Sequence, residues 1–299
     1  MPELPDVSVY VDAIAARVVG HRLERVTIAK PFLLRSFAPS PQELAGRVVR
    51  EVRRLGKRIA IGVEGELWLV LHLMIAGRLH WYAAGKARKQ RAALATFDFD
   101  NGSLTLTEAG TKRRASLYVV AGAPALAAHD PGGLEVADAT AATFAARITA
   151  ANHTLKRALT DPRILSGIGN AYSDEILHRA RLSPLAFTRS IGPAELDRLF
   201  EATRGVLEDW TARLREEAAS GFPENVTAFR EGMAVHGRYG KPCPVCGTRV
   251  QRIRYAENET NYCPRCQTGG RMLSDRSLAR LLKDDWPKTI EELERRESV

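Results

Sequence analysis

The four cysteines constrain this chain more than anything else in it. They are Cys243, Cys246, Cys263 and Cys266, the only cysteines in 299 residues, and they read C-x2-C-x16-C-x2-C. Two closely spaced thiol pairs, separated by about the length of a hairpin, converge on a tetrahedral four-sulfur zinc site. Residues 248–254 alternate as a strand does, Asn261-Tyr262 reads as the return strand, and Pro244, Gly247 and Pro264 supply turns. Two structural disulfides are the competing use of such a set. No secretory signal opens the chain, however, and thiols in a reducing compartment stay reduced. With no histidine in the set and no open coordination position implied, one structural Zn2+ is expected.

Charge narrows the partner. The chain carries 44 Lys and Arg against 35 Asp and Glu, a net charge of +9. With a pI near 9.6, such a surplus on folded surfaces points to a polyanion, nucleic acid before an acidic membrane surface. Arg249, Arg252 and Arg254 are expected to share one face of the finger's first strand as a phosphate-contacting surface. The longest strongly apolar stretch, residues 67–76, is interrupted by His72 and is too short to cross a bilayer. A monomer located in the cytoplasm, nucleoid-associated in a bacterium, with no membrane partner, is therefore expected.

The other end of the chain carries chemistry. If Met1 is trimmed, as a small second residue permits, Pro2 presents a secondary amine beside the Glu3 carboxylate. Such an amine attacks an electrophilic sugar carbon to give a cationic iminium, and the carboxylate can give or take protons. Val7, Val11, Ile14 and Val18 recur at helical spacing and Gly20 marks a stop, so Pro2 and Glu3 sit at the positive end of a helix. That dipole disfavours a protonated amine and leaves more of it nucleophilic. Taken alone, Pro2-Glu3-Leu4-Pro5 also reads as a stiff N-terminal turn.

Between these ends the pattern changes once. Strands are expected at 23–29, 48–53, 58–63, 66–73, 78–82, 93–99, 103–107 and 116–120, an antiparallel sandwich by their number and spacing. Asp100-Asn101-Gly102 is read as a two-residue hairpin turn in which Asn-Gly takes up positive φ. Residues 86–91 form a basic loop. Asp130-Pro131-Gly132-Gly133 then opens a linker, and helices follow at 139–149, 154–159, 171–180 and 193–217. Between two of them, Gly167-Ile168-Gly169-Asn170 makes a tight loop whose free N–H groups suit a phosphate, with Lys156 near enough to add charge.

Pro2-Glu3-Leu4-Pro5-Asp6-Val7, Gly56-Lys57, Gly167 to Glu175 and the four-cysteine finger, in this order, resemble the formamidopyrimidine-DNA glycosylase and endonuclease VIII family of base-excision repair enzymes. The resemblance spans about residues 2–267. It implies a multidomain α and β architecture: an N-terminal antiparallel β-sandwich catalytic domain (1–129), a linker (130–137), a helix–two-turn–helix DNA-binding domain (138–228), a zinc finger (229–270) and a tail (271–299). It also implies double-stranded DNA carrying damaged, oxidised bases or abasic sites in the cleft between domains, with the target nucleotide flipped out. Pro2 then corresponds to the Schiff-base nucleophile and Glu3 to the acid that assists ring opening and base departure. Lys57 corresponds to a lysine that assists catalysis beside a lesion phosphate, and Asn170 with Lys156 to the phosphate clamp.

Four positions depart from the family pattern. Asn258 stands where the finger carries an arginine assigned to δ-elimination. His72-Leu73-Met74-Ile75-Ala76-Gly77 replaces the usual segment, leaving Met74 or Ile75 to fill the void of the flipped base. Arg113-Arg114-Ala115 keeps the basic part of the wedge, including Arg114, and loses its aromatic residue. The chain also continues past the finger, with Leu278, Leu281 and Leu282 at helical spacing and Thr289-Ile290-Glu291-Glu292 as a candidate capping box. The pre-finger segment 221–227 is short for a cap over oxidised guanine. The main alternative is a damaged-DNA-binding protein without catalysis; a structural RNA- or ribosome-binding protein has no use for Pro2, Glu3 and Lys57.

Overall fold

The computed structural model describes residues 1–84, 93–109, 112–224, 226, 229–255, 258–273, 280–281 and 286–297. The expected basic loop at 86–91, and Leu278 and Leu282 of the tail, lie outside the described residues. The chain forms two compact units, residues 1–132 with 208–228, and residues 133–207 with 229–299.

In the first unit, helix α1 (Leu4–Val18) buries Val7, Tyr10, Ile14 and Val18 on one face. Glu3 is its N-cap, Pro5 sits in the first turn where no N–H is needed, and Gly20 follows the last turn at φ +84°. Eight antiparallel strands follow: β1 (Arg22–Ile28), β2 (Arg47–Leu55), β3 (Arg58–Val63), β4 (Leu67–His72), β5 (Gly77–Ala83), β6 (Ala93–Phe99), β7 (Gly102–Glu108) and β8 (Ser116–Ala121). Their order is β5-β7-β6-β1-β2-β3-β4-β8. β1 and β2 are joined through Arg22↔Val48 and Leu23↔Arg47, a thin seam about which the sheet divides into halves. Leu23, Phe97 and Leu104 from one half and Ile59, Leu69 and Leu117 from the other share a single core with α1. This is the expected sandwich.

β3 and β4 are apolar on both faces because both faces are covered. The outer side packs Ala60, Trp68 and Val70 against Leu126 of a short helix, α2 (Gly122–Ala127), that sequence patterning did not indicate. Gly62 makes room there: a Cβ would lie 2.7 Å from the Trp68 ring. Segment 208–228 adds to the same unit. Phe222 lies 5.8 Å from the Tyr10 ring, and Val226 is buried in the sandwich core.

The turn between β6 and β7 differs from expectation. Phe99 pairs with Gly102, so the loop is Asp100–Asn101, and neither residue nor Gly102 has positive φ. Gly102 is required for space instead, since a Cβ would meet the Trp81 ring and the Tyr82 carbonyl at 2.6 Å. Side-chain hydrogen bonds hold the turn: Arg22 N–H donates to Asp100 at 3.1 Å and Asn101 Nδ2 to the Arg17 carbonyl at 2.7 Å.

The second unit is helical and ends in the finger. It contains α3 (Ala141–Thr149), α4 (Leu155–Thr160), α5 (Asn170–Arg179) and the first part of α6 (Pro193–Glu217). Thr140 and Thr154 cap α3 and α4 through their hydroxyls. Phe144 on Phe200, with Ile148, Leu155, Leu159, Ile168, Tyr172 and Leu199, forms the interior. Residues 133–136 are not free chain: Leu134 pairs with Leu165, and a Cβ on Gly133 would strike the Pro162 carbonyl.

The finger is a hairpin, β9 (Gln251–Tyr255) and β10 (Asn258–Tyr262), followed by α7 (Pro264–Thr268). Arg252 and Arg254 share its outward face, whereas Arg249 precedes the strand and bridges to Pro242, so the three arginines do not form one row. The tail turns back onto the finger. Met272 N–H donates to the Lys288 carbonyl and Ile290 N–H to the Gly270 carbonyl, both at 2.9 Å, and Ile290 is buried. Thr289 Oγ1 accepts from Glu292 N–H at 3.3 Å and starts α8 (Ile290–Glu297). The reciprocal arm of the expected box is absent among the described contacts, because Glu292 accepts from Lys288 N–H.

Candidate active site and metal centre

The N-terminal site is assembled from the start of α1, the β2–β3 turn and the ends of β4 and β5. Glu3 is 2% exposed, and its N–H donates to the Asp6 carboxylate at 2.9 Å in a capping-box arrangement. This fixes the path of the chain at Pro2, itself buried. Burial pulls the Met1 terminal amine below its ordinary value; the Glu3 and Asp6 carboxylates oppose this, while Arg78 and Lys57 add to it. Glu3, Asp6, Arg78 and Lys57 therefore all act at the start of α1.

Lys57 reaches this site by way of a turn. Leu55 pairs with Arg58, leaving Gly56–Lys57 as a two-residue loop, and Gly56 has φ +58° at the first central position, where a type II′ turn needs glycine. Opposite Arg58 on β4 lies His72. Burial, with the charges of Arg58 and Lys57, lowers its pKa to about 4, so the imidazole is neutral at physiological pH.

The β4–β5 connection presents Met74 and Ile75. Gly77 N–H closes it onto the Leu73 carbonyl at 2.9 Å, and a Cβ on Gly77 would lie 2.3 Å from that oxygen. Met74 adopts φ +52°, rare for its type, and Ile75 is 55% exposed, the more projecting of the two. Arg114 is exposed, with its N–H bound by Glu108 at 2.9 Å. Ala115 donates to the same carboxylate and is fully buried in the sandwich core. Position 115 therefore faces inward, and an aromatic side chain would not project from it.

In the second unit Asn170 is the first residue of α5, with Gly167 at φ +76° just before it. Its Nδ2 donates to the Glu259 carbonyl at 2.9 Å. Lys156 Nζ donates to the Asn170 carbonyl at 2.7 Å and to Asp174 at 2.5 Å. Asp174 also pairs with His236 Nδ1 at 2.8 Å and accepts the Asn261 N–H at 3.1 Å. Glu175 accepts three backbone N–H groups, from Ala234, Val235 and His236. Burial raises the Glu175 carboxyl above its usual range while those donors oppose the rise. Sequence reasoning took Asp174-Glu175 as motif letters and missed them as the acidic pair joining α5 to the finger. The only available signal was two adjacent acids set between Tyr172 and Ile176-Leu177 in a short helix. Arg254 and Asn258 are exposed at the turn end of the hairpin, where Asn258 pairs with Tyr255. Arg252 stacks over Tyr239 at 4.1 Å and pairs with Glu259 at 3.3 Å.

The four cysteine sulfurs lie within 4.8 Å of one another, Cys243 to Cys266 at 3.9 Å and Cys246 to Cys263 at 3.4 Å. A tetrahedron of sulfurs around zinc has edges of roughly 3.8 Å for Zn–S near 2.3 Å. The donors fit, and they hold one structural zinc. His178 Nε2 lies 3.2 Å from Cys243 Sγ, a supporting contact of the kind that orients thiolate ligands.

Three family models match in sequence. They describe the formamidopyrimidine-DNA glycosylase N-terminal domain over residues 1–115, the formamidopyrimidine-DNA glycosylase H2TH domain over 129–215, and a zinc finger found in FPG and IleRS over 240–269. A formamidopyrimidine-DNA glycosylase of Symbiobacterium thermophilum is 32% identical, with 89% of each chain covered. An uncharacterized formamidopyrimidine-DNA glycosylase-like protein of Mycobacterium tuberculosis is 42% identical over 164 residues, 55% of this chain and 100% of that one. A Lactococcus lactis FPG mutant crystallised with Fapy-dG containing DNA has a similar fold, with TM-score 0.78 at 22% identity over 89% of this chain and 100% of the other.

Proposed function

This chain belongs to the formamidopyrimidine-DNA glycosylase family, and on that premise we propose that it excises oxidised bases from double-stranded DNA and cleaves the resulting abasic site through Pro2. The observation that carries the proposal is the start of α1, where the Glu3 carboxylate is buried beside a buried Pro2, and where burial, Arg78 and Lys57 hold the preceding Met1 amine below its ordinary value.

Once Met1 is removed, the Pro2 nitrogen attacks C1′ of the extruded nucleotide and the base leaves with the glycosidic electron pair and a proton. Glu3 protonates the ring oxygen as the sugar opens, and the nitrogen lone pair completes the iminium. Loss of a proton from C2′ expels the 3′ phosphate, and water then hydrolyses the iminium to free Pro2. Lys57, on its short turn, is suited to hold the phosphate beside the lesion. Asn170, at the N-terminus of α5, is suited to a second phosphate. Met74 or Ile75 would occupy the space left in the duplex, and the exposed Ile75 is the better placed.

Borohydride trapping on duplexes bearing abasic sites tests this. The expected result is a covalent adduct at Pro2 that is lost in Pro2→Gly. Undiminished trapping in that variant, or a mature protein that keeps Met1, overturns it. The neutral Asn258 favours a second reading, damage binding without strand cleavage, in which the wild type binds abasic duplex and gives no adduct.

A further inference from the structure

Lys156 touches the Asn170 loop, yet its side chain is 13% exposed and its ammonium is committed to Asp174 and the Asn170 carbonyl. Asp174 is fully buried and spends its other oxygen on His236 and on the Asn261 N–H. Asn261 in turn accepts the Gly237 N–H at 2.7 Å and donates to Glu259 at 3.0 Å, and the Glu259 carbonyl receives the Asn170 side-chain amide. The circuit closes: Asn170, Lys156, Asp174, Asn261, Glu259, Asn170. His236 is a branch from it, covered by the Phe229 ring at 5.5 Å.

A lysine facing a phosphate would keep its charge for that phosphate. Here a buried carboxylate at salt-bridge distance neutralises it, and paired buried charges lose much to any rearrangement that separates them. We propose that Lys156 and Asp174 are positioning residues, which set Asn170 and the β10 strand in register for phosphate binding, and that Lys156 makes no phosphate contact of its own. The inference rests on the DNA-binding reading of this unit.

The test uses the full zinc-loaded chain and a duplex carrying a stable cyclic-ether abasic analogue, with Kd measured over a salt series. Lys156→Gln is expected to weaken binding about tenfold, the scale of a lost hydrogen bond to a charged group, with the slope of log K against log salt unchanged. A slope shallower by about 0.9 means a released phosphate contact and overturns the proposal. Asp174→Asn raises the net positive charge by one, which electrostatics alone turns into tighter binding; the proposal requires weaker binding, and equal or tighter binding overturns it. The decisive comparison does not depend on the Asp174→Asn variant and is made in an Asn170→Ala background. There Lys156→Gln should cost little more, because its effect runs through Asn170; a full additional tenfold loss is overturning. Failure of the wild type to bind the analogue at all removes the DNA-binding reading itself, whereas binding with a shallower Lys156→Gln slope removes only this inference.

Discussion

The Glu3 N–H donates to the Asp6 carboxylate across 2.9 Å, and both residues are 2% exposed. Asp6 thus satisfies a backbone donor at the start of α1, and the Glu3 carboxylate is placed by the helix rather than by its own mobility. The two acids differ in task although they stand three residues apart.

Glu3→Gln keeps the size of the side chain and removes its proton. Base release should fall by about 10² or more, within the range for loss of a general acid, while nicking of preformed abasic sites survives better. Single-turnover assays on both substrates check this; an equal loss of both activities contradicts a specific acid role.

Asn258 should leave strand cleavage dominated by β-elimination, because a neutral amide cannot hold a departing phosphate as a guanidinium does. Gel analysis of the 3′ ends separates the two products. Asn258→Arg is expected to shift the mixture toward the 3′-phosphate, and an unchanged mixture means the side chain at this exposed position does not reach the phosphate.

Cys243→Ser should release zinc and weaken DNA binding, since the metal contributes folding energy and Cys243 is a buried ligand beside His178. Metal analysis and melting temperature give the outcome. Zinc retained at full occupancy with an unchanged melting temperature would falsify the four-thiolate assignment.

His72 gives the stability curve a defined acid limb. Its pKa falls from 6.5 to about 4 on folding, so between those values the unfolded chain binds a proton that the folded chain does not. Stability should be full above pH 6.5, decline as pH falls toward 4, and lose on the order of 2–3 kcal/mol through this group. Thermal melts of wild type and His72→Gln from pH 7 to 4 test it, and the variant should decline less steeply. Parallel curves exclude the histidine as the source.

The regular elements were legible because their residues answer to local rules. β3 (Arg58–Val63), β6 (Ala93–Phe99) and α6 (Pro193–Glu217) begin and end where the patterning places them. Gly102 misled because its Asn-Gly context signals positive φ, whereas the constraint is the ring of Trp81, 21 residues earlier in the chain, which no local rule contains. Pro2, Glu3 and the cysteines carry their chemistry in their own atoms and could be read directly. Lys156 could not, since the carboxylate that neutralises it lies 18 residues away. Arg249 failed because it precedes β9 and bridges to Pro242, out of phase with Arg252 and Arg254. Ala115 showed that an aromatic residue was missing, and only its burial showed that the position points into the sandwich.

The return of the tail onto the finger sets an order in time. Translation delivers the ligands at 243–266 before residues 288–290, whose backbone pairs with Gly270 and Met272. A nascent chain therefore owns every sulfur needed for the metal while still lacking the brace on the far side of α7. Until those residues pair, the metal ligands tie the C-terminal end of the finger together without them.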